Sequence, residues 1–562
     1  MTNQEKRWEF LHKGEVRGER AIIGVLLKNR GIRTEKEKKK FFNSTDPMKI
    51  SLKSIGVKET EVRKAINRIK RAKKTGEHVI VYGDYDADGI TGTATMWETL
   101  HELGIFVLPH IPERFSEGYG LNLESVKDLR KKDPKLGLII TIDHGIVAGE
   151  KVDEVKNLGI DMIITDHHQA GKRMPTPLGL IYTTKIGGSA LAWFFAREII
   201  KSFKITRSDV VSRLELAAIG TIADQLPLIG PNRSVVKYGL TILNHTKRPG
   251  LLALFEEAGL TEIGPYEVGF IIAPRINSMG RLKHGLESLR LLCTRDKVKA
   301  FQIAGNIGRT NRERQKIVDE VVAHARNSYK SIEKQFVIVL AHKSYHEGVI
   351  GLAAAKLVEE FYRPAIVLSK NGDISKASAR SISGFNIIEA IRKLEKLYIE
   401  GGGHPMAAGF SIETKNIDIF TKEINKIAGK LITDELLQRK LKIDMELDFE
   451  EINPELVEQV KAFEPTGLGN PSPTFFGKNV EITDAKTVGR DAKHLKLKLK
   501  QHEQIFDSIF FGGGETYSKL KLGSKVNVVF QVEEDSWSGF GRIQLKIKDI
   551  HCQDGKELLQ YR

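Results

Sequence analysis

Cysteine is nearly absent: Cys293 and Cys552 are the only two in 562 residues, and they lie far apart. That excludes a disulfide framework and a thiolate zinc site, and a reducing cytoplasm is the expected compartment. No apolar run approaches the ~18 residues a membrane span needs. The opening segment MTNQEKRWEF has no apolar signal-peptide core, so a cytosolic protein without membrane contact is expected. Heptad runs and tandem repeats are missing, which argues against coiled coils and repeat arrays. Acidic residues are in deficit: 72 Asp+Glu against 88 Lys+Arg leave a net charge of +16. Excess positive charge attracts polyanions through counterion release, nucleic acid first among them. A lysine-rich proteome would give the same figure, and charge alone does not separate the two.

What is present is enough for several cores, with 41% hydrophobic and 28% charged residues. The length suggests roughly three or four domains of about 150 residues. Residues 1–45 read as an N-terminal helical arm. The next stretch, 46–245, alternates strands with helices: HVIVY at 78–82, LIITI at 138–142 and DMIIT at 161–165, with helices over 91–103 and 150–158. That spacing predicts an α/β domain with a parallel sheet. Residues 246–330 read as a helical connector. A second α/β domain covers 331–435 and contains the glycine cluster Gly401 to Gly403. From 436 to 562 the pattern turns to short period-two runs such as HLKLKLK and KVNVVFQV, which predict a small antiparallel barrel.

Three acidic clusters follow the three predicted strands of the first α/β domain: Gly83-Asp84-Tyr85-Asp86-Ala87-Asp88-Gly89, Asp143-His144-Gly145, and Asp166-His167-His168. The crevice beyond the carboxyl ends of a parallel sheet is the usual ligand site, so the topology would gather them. Gathered carboxylates repel unless cations sit between them. Hard oxygens with one or two imidazoles suit Mn²⁺ or Mg²⁺. Two such ions can activate water and neutralise charge in a phosphoryl displacement. Each cluster alone has a plain reading as a turn, a strand-end cap or a surface pair; their coincidence at three strand ends argues against it. Asp224, in GTIADQLP, carries little signal by itself.

At these residues the chain resembles the DHH phosphoesterase superfamily, and within it a branch of single-strand-specific 5′→3′ DNA exonucleases. The resemblance runs from about residue 75 to the C-terminus. It rests on VYGDYDADGITGTA, PERFSEGYGLN, TIDHGI, ITDHH, GTIADQLPLIGPNR, APRINSMGRL, HEGVIGLAAAKL, SARS, GGGHPMAAGF and EPTGLGNPSP. It implies a DHH domain with a parallel sheet, a long helical connector, a second α/β DHH-associated domain and a C-terminal oligonucleotide-binding (OB) β-barrel.

The resemblance also implies roles. Asp86, Asp88, Asp143, His167 and Asp224 would hold two divalent cations, Mn²⁺ or Mg²⁺, with Asp143 bridging them. Asp84 would join this metal set or orient its members. His168 would meet the scissile phosphate, with Asp166 also in the catalytic group. Arg114, Ser378 and Arg380 would bind a 5′-phosphate, and an arginine fork suits such a group. Arg275, Asn277 and Arg281 would hold the DNA strand or the domain interface, and His346, Gly403 and His404 would contact DNA where the associated domain faces the active site. The barrel's basic and aromatic residues would contact DNA too: Lys493, His494, Lys496, Lys498, Trp537, Phe540 and Arg542. Single-stranded DNA is the expected partner, with a single-strand binding protein and a helicase as protein partners of a monomer. The expected reaction releases 5′-mononucleotides in DNA repair and recombination. Two rivals are a phosphodiesterase of short oligonucleotides or cyclic dinucleotides and a non-catalytic replication scaffold. His144, Gln225, Ser278 and Met279 depart from the family pattern, and His144 is a candidate for an extra imidazole near the metals.

Overall fold

The computed structural model describes residues 6–205, 209–327, 335–535 and 541–552. They form two compact units: Lys39–Arg314 with Pro465–Pro471, and the rest of the described chain.

In the first unit, apolar β-branched runs form five parallel strands: β1 (His78–Gly83), β2 (Val107–His110), β3 (Leu136–Ile142), β4 (Asp161–Asp166) and β5 (Gly179–Tyr182). Their order is β2-β1-β3-β4-β5. The interior strands are apolar at nearly every position because both faces are covered. Val79, Val81, Ile140 and Ile163 pack on one side with Trp193, Phe194 and Phe195. Ile80, Tyr82, Ile139 and Ile164 pack on the other with Val126, Val152 and Val155. The chain leaves β1 for β2 on one flank and returns through β3 on the other. That reversal places a crevice at the carboxyl ends of β1 and β3.

Three helices border the crevice: α1 (Ala87–Glu102), α2 (Gly188–Ser202) and α3 (Leu214–Ala223). Nearly all of α1 is buried, and its composition (ADGITGTATMW) suits close contact. Thr91, Thr95 and Thr99 satisfy their hydroxyls by donating to carbonyls one turn back, which makes buried threonine tolerable. The expected helical connector contains α4 (Ala273–Leu282), entered through a π-helical turn at Val268–Ile272, and α5 (Lys297–Asn327). The division between the units falls within α5.

In the second unit, a five-stranded sheet runs in the order β9-β10-β8-β7-β6. Its strands are β6 (Ile338–His342), β7 (Ala365–Asn371), β8 (Ile374–Arg380), β9 (Glu400–His404) and β10 (Ala407–Glu413), with α6 (Ile350–Phe361) after β6. Only β6 and β7 are parallel neighbours. Next comes a five-stranded barrel of β11 (Phe475–Val488), β12 (His494–Gln501), β13 (Gln504–Phe510), β14 (Lys525–Glu534) and β15 (Ile543–Cys552). It closes through β11–β14, and one seam, β13–β15, is parallel where an antiparallel barrel was expected. Period-two alternation reports burial, not strand direction, so the sequence could not reveal that seam.

Two segments make long-range contacts that the sequence pattern did not indicate. The N-terminal arm carries helices at Glu19–Asn29 and Glu35–Phe42, but Arg7–Phe10 is a strand paired in parallel with Lys440–Ile443. The motif EPTGLGNPSP, met within the barrel region, gives Pro465–Pro471 to the first unit. There Leu468 O accepts from Leu228 N at 2.7 Å and Pro465 O accepts from the Arg233 guanidinium at 3.0 Å.

Candidate active site

Each acidic cluster is positioned by the strand before it, and backbone donors anchor Asp86, Asp88 and Asp166. At the end of β1, Asp86 caps α1, its Oδ1 accepting from Gly89 N at 2.9 Å. Gly89 is required there, since a Cβ would lie 2.6 Å from Asp84 Cβ. Asp88 reaches across to the start of α2, where Gly188 N and Ser189 N donate to its two oxygens at 2.7 and 3.0 Å. An anion at a helix N-terminus meets free N–H groups and the positive dipole end.

At the end of β3, Asp143 adopts left-handed backbone, φ 68°, a conformation aspartate tolerates better than most residues. At the end of β4, Asp166 is wholly engaged in orienting its neighbours. Its Oδ1 accepts from His167 N (2.7 Å) and His168 N (3.0 Å) and lies 2.8 Å from His168 Nδ1, while Oδ2 accepts from Ile146 N (2.8 Å). The imidazole of His168 therefore turns its Nε2 outward. Asp224 directly follows α3.

These side chains meet. Ligand atoms converge within 4.8 Å in three overlapping groups: Asp84 with Asp86 and Asp143; Asp143 with His167 and His168; and Asp88 with His167 and Asp224. Asp143 and His167 each belong to two. Asp143 Oδ1 and His167 Nε2 lie 3.0 Å apart, yet both are buried with no hydrogen-bond partner. Buried polar atoms are rarely left so; a cation is the partner that this oxygen-rich, imidazole-containing set fits. Two glycines make room: a Cβ at Gly188 would lie 2.5 Å from Asp143 Oδ1, and one at Gly220 2.3 Å from Asp88 Oδ1.

The electrostatics agree with that fit. Burial, then repulsion from neighbouring carboxylates, pushes Asp84 and Asp143 well above the ordinary carboxylate range and raises Asp86. Asp224, with 32% of its side chain exposed, is pushed to about 8 by desolvation and by Asp88 and Asp86. Burial lowers His167. It opposes the charge of His168 too, but the bond to Asp166 outweighs it and lifts His168 to about 9. His144 is not part of the cluster. Its Nε2 lies 2.9 Å from the Tyr82 carbonyl, and burial lowers it to about 4, so it stays neutral.

The loop Pro112–Gly120 overhangs this crevice. It sets the Arg114 guanidinium 4.9 Å from the Tyr85 ring centroid and the Tyr119 hydroxyl 3.5 Å from His168 Nε2.

Residues 78–221 match the DHH family, N-terminal domain, residues 333–430 the DHHA1 domain, and residues 443–549 the RecJ OB domain. The single-stranded-DNA-specific exonuclease RecJ of Bacillus subtilis is 33% identical over 550 residues, spanning 94% of this chain and 67% of that protein. The chain belongs to the RecJ family. Two solved structures of RecJ from Thermus thermophilus are also similar. The complex with Mn²⁺ has a TM-score of 0.81 at 28% identity, over 98% of this chain and 80% of that one. The complex with Mg²⁺ has a TM-score of 0.72 at 27% identity, over 97% and 78%.

Other residues singled out from the RecJ-type motifs fall into three groups. Arg275 and Asn277, expected to hold the DNA strand or the domain interface, have protein partners. Arg275 pairs with Glu257 at 2.8 Å. Asn277 Oδ1 accepts from Ala87 N at 2.7 Å, bracing the Asp86–Asp88 turn. Arg281 follows on α4, and its charge bears on Tyr85.

In the second unit the sheet register assembles the rest. Arg380 pairs with Ala407, which pairs with His404; Ser378 pairs with Gly409, which pairs with Gly402. Paired residues share a face, so Ser378, Arg380 and His404 stand on one side with Gly403 between His404 and Gly402. The N-terminal turn of α6 packs on that side: a Cβ at Gly351 would lie 2.9 Å from Ser378 Oγ and 3.2 Å from the Arg380 guanidinium. His346 lies in the loop before α6, its Nδ1 accepting from Gly348 N at 3.1 Å.

On the barrel, His494, Lys496 and Lys498 alternate with buried Leu495, Leu497 and Leu499 along β12. Lys493 and Arg542 are exposed. Trp537 and Phe540 lie outside the described residues. Sequence reasoning passed over Phe511, which is 55% exposed with Lys546 Nζ 5.5 Å from its ring centroid and His494 beside it. It also passed over Gly188, Gly220 and Tyr119, of which the last two stood inside quoted motifs.

Proposed function

We propose that this chain is a divalent-metal-dependent 5′→3′ exonuclease that degrades single-stranded DNA to 5′-mononucleotides in DNA repair and recombination. The carrying observation is the trio of overlapping ligand groups that share Asp143 and His167 at the carboxyl ends of β1, β3 and β4. Similarity to RecJ structures solved with Mn²⁺ and with Mg²⁺ supports the choice of ions.

When bound, such cations supply a nucleophilic water at neutral pH and neutralise charge on the phosphoryl group. The residues do the rest. Asp143 joins the two halves of the ligand set. Asp84, Asp86, Asp88, His167 and Asp224 complete it. Asp166 fixes the direction of His168 and favours its protonated form. In the metal-free fold the bond to Asp166 lifts His168 to about 9, and the protonated ring donates from Nε2 to a phosphate oxygen. Arg114 meets a terminal phosphate above the crevice, and Ser378 with Arg380 offers a second anion-binding pair. The basic face of β12 holds the strand by its backbone. A single-strand binding protein and a helicase are the protein partners proposed for it, with a monomeric, cytoplasmic enzyme. Among the described residues no helix is long and apolar enough to cross a membrane.

End-labelled digestion tests this reading. Single strands bearing a 5′-phosphate should yield mononucleotides from the 5′ end, faster than 5′-hydroxyl strands, with blunt duplex resistant. Release from the 3′ end first would overturn the polarity, and rapid cleavage of dinucleotides alone would favour a short-substrate phosphodiesterase.

A further inference from the structure

Arg114 and Tyr119 reach the crevice on a loop that has little core of its own. Phe115 and Tyr119 are 47% and 51% exposed, and Gly118 and Gly120 hold left-handed backbone at φ 79° and 77°. Such a segment would not keep two side chains in one geometry without a tie. One carboxylate supplies it. Glu117 has an 18% exposed side chain, and both its oxygens are used. Oε1 accepts from Glu113 N at 2.9 Å, closing the loop on itself beside the return bond from Glu117 N to Glu113 O at 2.9 Å. Oε2 lies 3.0 Å from His110 Nε2, at the end of β2, and accepts from the Ser125 hydroxyl, in the first turn of helix Leu123–Lys132. The Glu117 carbonyl accepts from Asn122 Nδ2 at 2.9 Å, and Asn122 caps that helix. The carboxylate thus ties the loop to a sheet end on one side and a helix start on the other. Hydrogen bonds to a charged acceptor are about twice as strong as neutral ones.

We propose that Glu117 is a positioning residue that fixes the loop carrying Arg114 and Tyr119 over the crevice, and so sets discrimination between 5′-phosphate and 5′-hydroxyl ends. This rests on the reading of Arg114 as a terminal-phosphate group. Glu117 has no part in holding metal, since it belongs to none of the three ligand groups.

The test compares Glu117→Ala, Glu117→Gln, Arg114→Ala and the double variant Arg114→Ala/Glu117→Ala. Each is assayed for kcat/KM on 5′-phosphate and 5′-hydroxyl strands, with hydrogen exchange of the 111–122 segment measured alongside. Glu117→Ala should lower the phosphate-to-hydroxyl ratio by about tenfold, and Arg114→Ala should lower it at least as far. The double variant should lose no more of that ratio than Arg114→Ala alone, because one acts through the other. Glu117→Gln should recover most of the ratio: its Oε1 still accepts from Glu113 N, and the Ser125 hydroxyl and His110 can each switch to accepting. Amides of Glu113, Glu117 and Gly118 should exchange at least about tenfold faster in Glu117→Ala. An unchanged ratio beside a preference in the parent protein, an additive double variant, or unchanged loop exchange would each overturn the proposal. Should the parent protein treat both ends alike, the reading of Arg114 fails instead, and loop exchange alone decides whether Glu117 holds the loop.

Discussion

Replacing Asp143 by asparagine should lower the rate of strand degradation at least about 10³-fold, the several kcal/mol that charge stabilisation and an activated water contribute. The same change should make the metal-free protein more stable. Asp143 is 2% exposed, and desolvation and the charges of Asp88, Asp86, Asp84 and Asp224 all penalise its ionised form. An amide removes that penalty. Asparagine is preferable to alanine because the position holds φ 68°, which asparagine tolerates and alanine resists by about 1–2 kcal/mol. Activity assays and thermal melts on one preparation separate the two effects. Full activity in Asp143→Asn would remove the metal-dependent scheme. A drop in activity matched by collapse of the fold would make Asp143 a structural residue.

Removing divalent ions with a chelator should abolish activity and lower thermal stability, by an amount that grows with pH. The sign follows from the carboxylates. Asp224 titrates near its ordinary 3.8 in the unfolded chain and at about 8 in the metal-free fold. Between those values the folded state holds a proton that the unfolded chain has released. Stability of the metal-free protein therefore falls as pH rises through that window. Asp84, Asp86 and Asp143 shift in the same direction. A bound cation replaces those protons and relieves the repulsion, so its stabilisation should increase from pH 6 to pH 9. Melting curves with and without Mn²⁺ across that range check it. A metal-induced gain in Tm that stays flat, or shrinks as pH rises, would contradict the mutual repulsion of these groups.

The crevice was legible because strands and their terminal clusters are local. LIITI and DMIIT each end where a carboxylate begins and HVIVY one residue before one, and parallel topology brings those ends together. The glycines were less legible. In the sequence Gly188 is one of a pair and Gly220 opens a helical motif; only the fold puts Asp143 against one and Asp88 against the other. Asn277, which the family resemblance marks for the strand or the domain interface, accepts from the Ala87 amide 190 positions away in sequence, a partner no local pattern reveals. Pro465–Pro471 could not be assigned to its unit from composition, since its contacts with Leu228 and Arg233 are wholly long-range. Arg380 and His404 share a row only through the register of β8, β10 and β9, which period-two patterning leaves open.

Anomalous diffraction from crystals soaked in Mn²⁺ tests the central claim most directly. Two peaks about 3.5–4 Å apart should appear, both contacting the Asp143 carboxylate, with the imidazole of His167 at one of them. A single peak, or peaks remote from Asp143, would contradict the account.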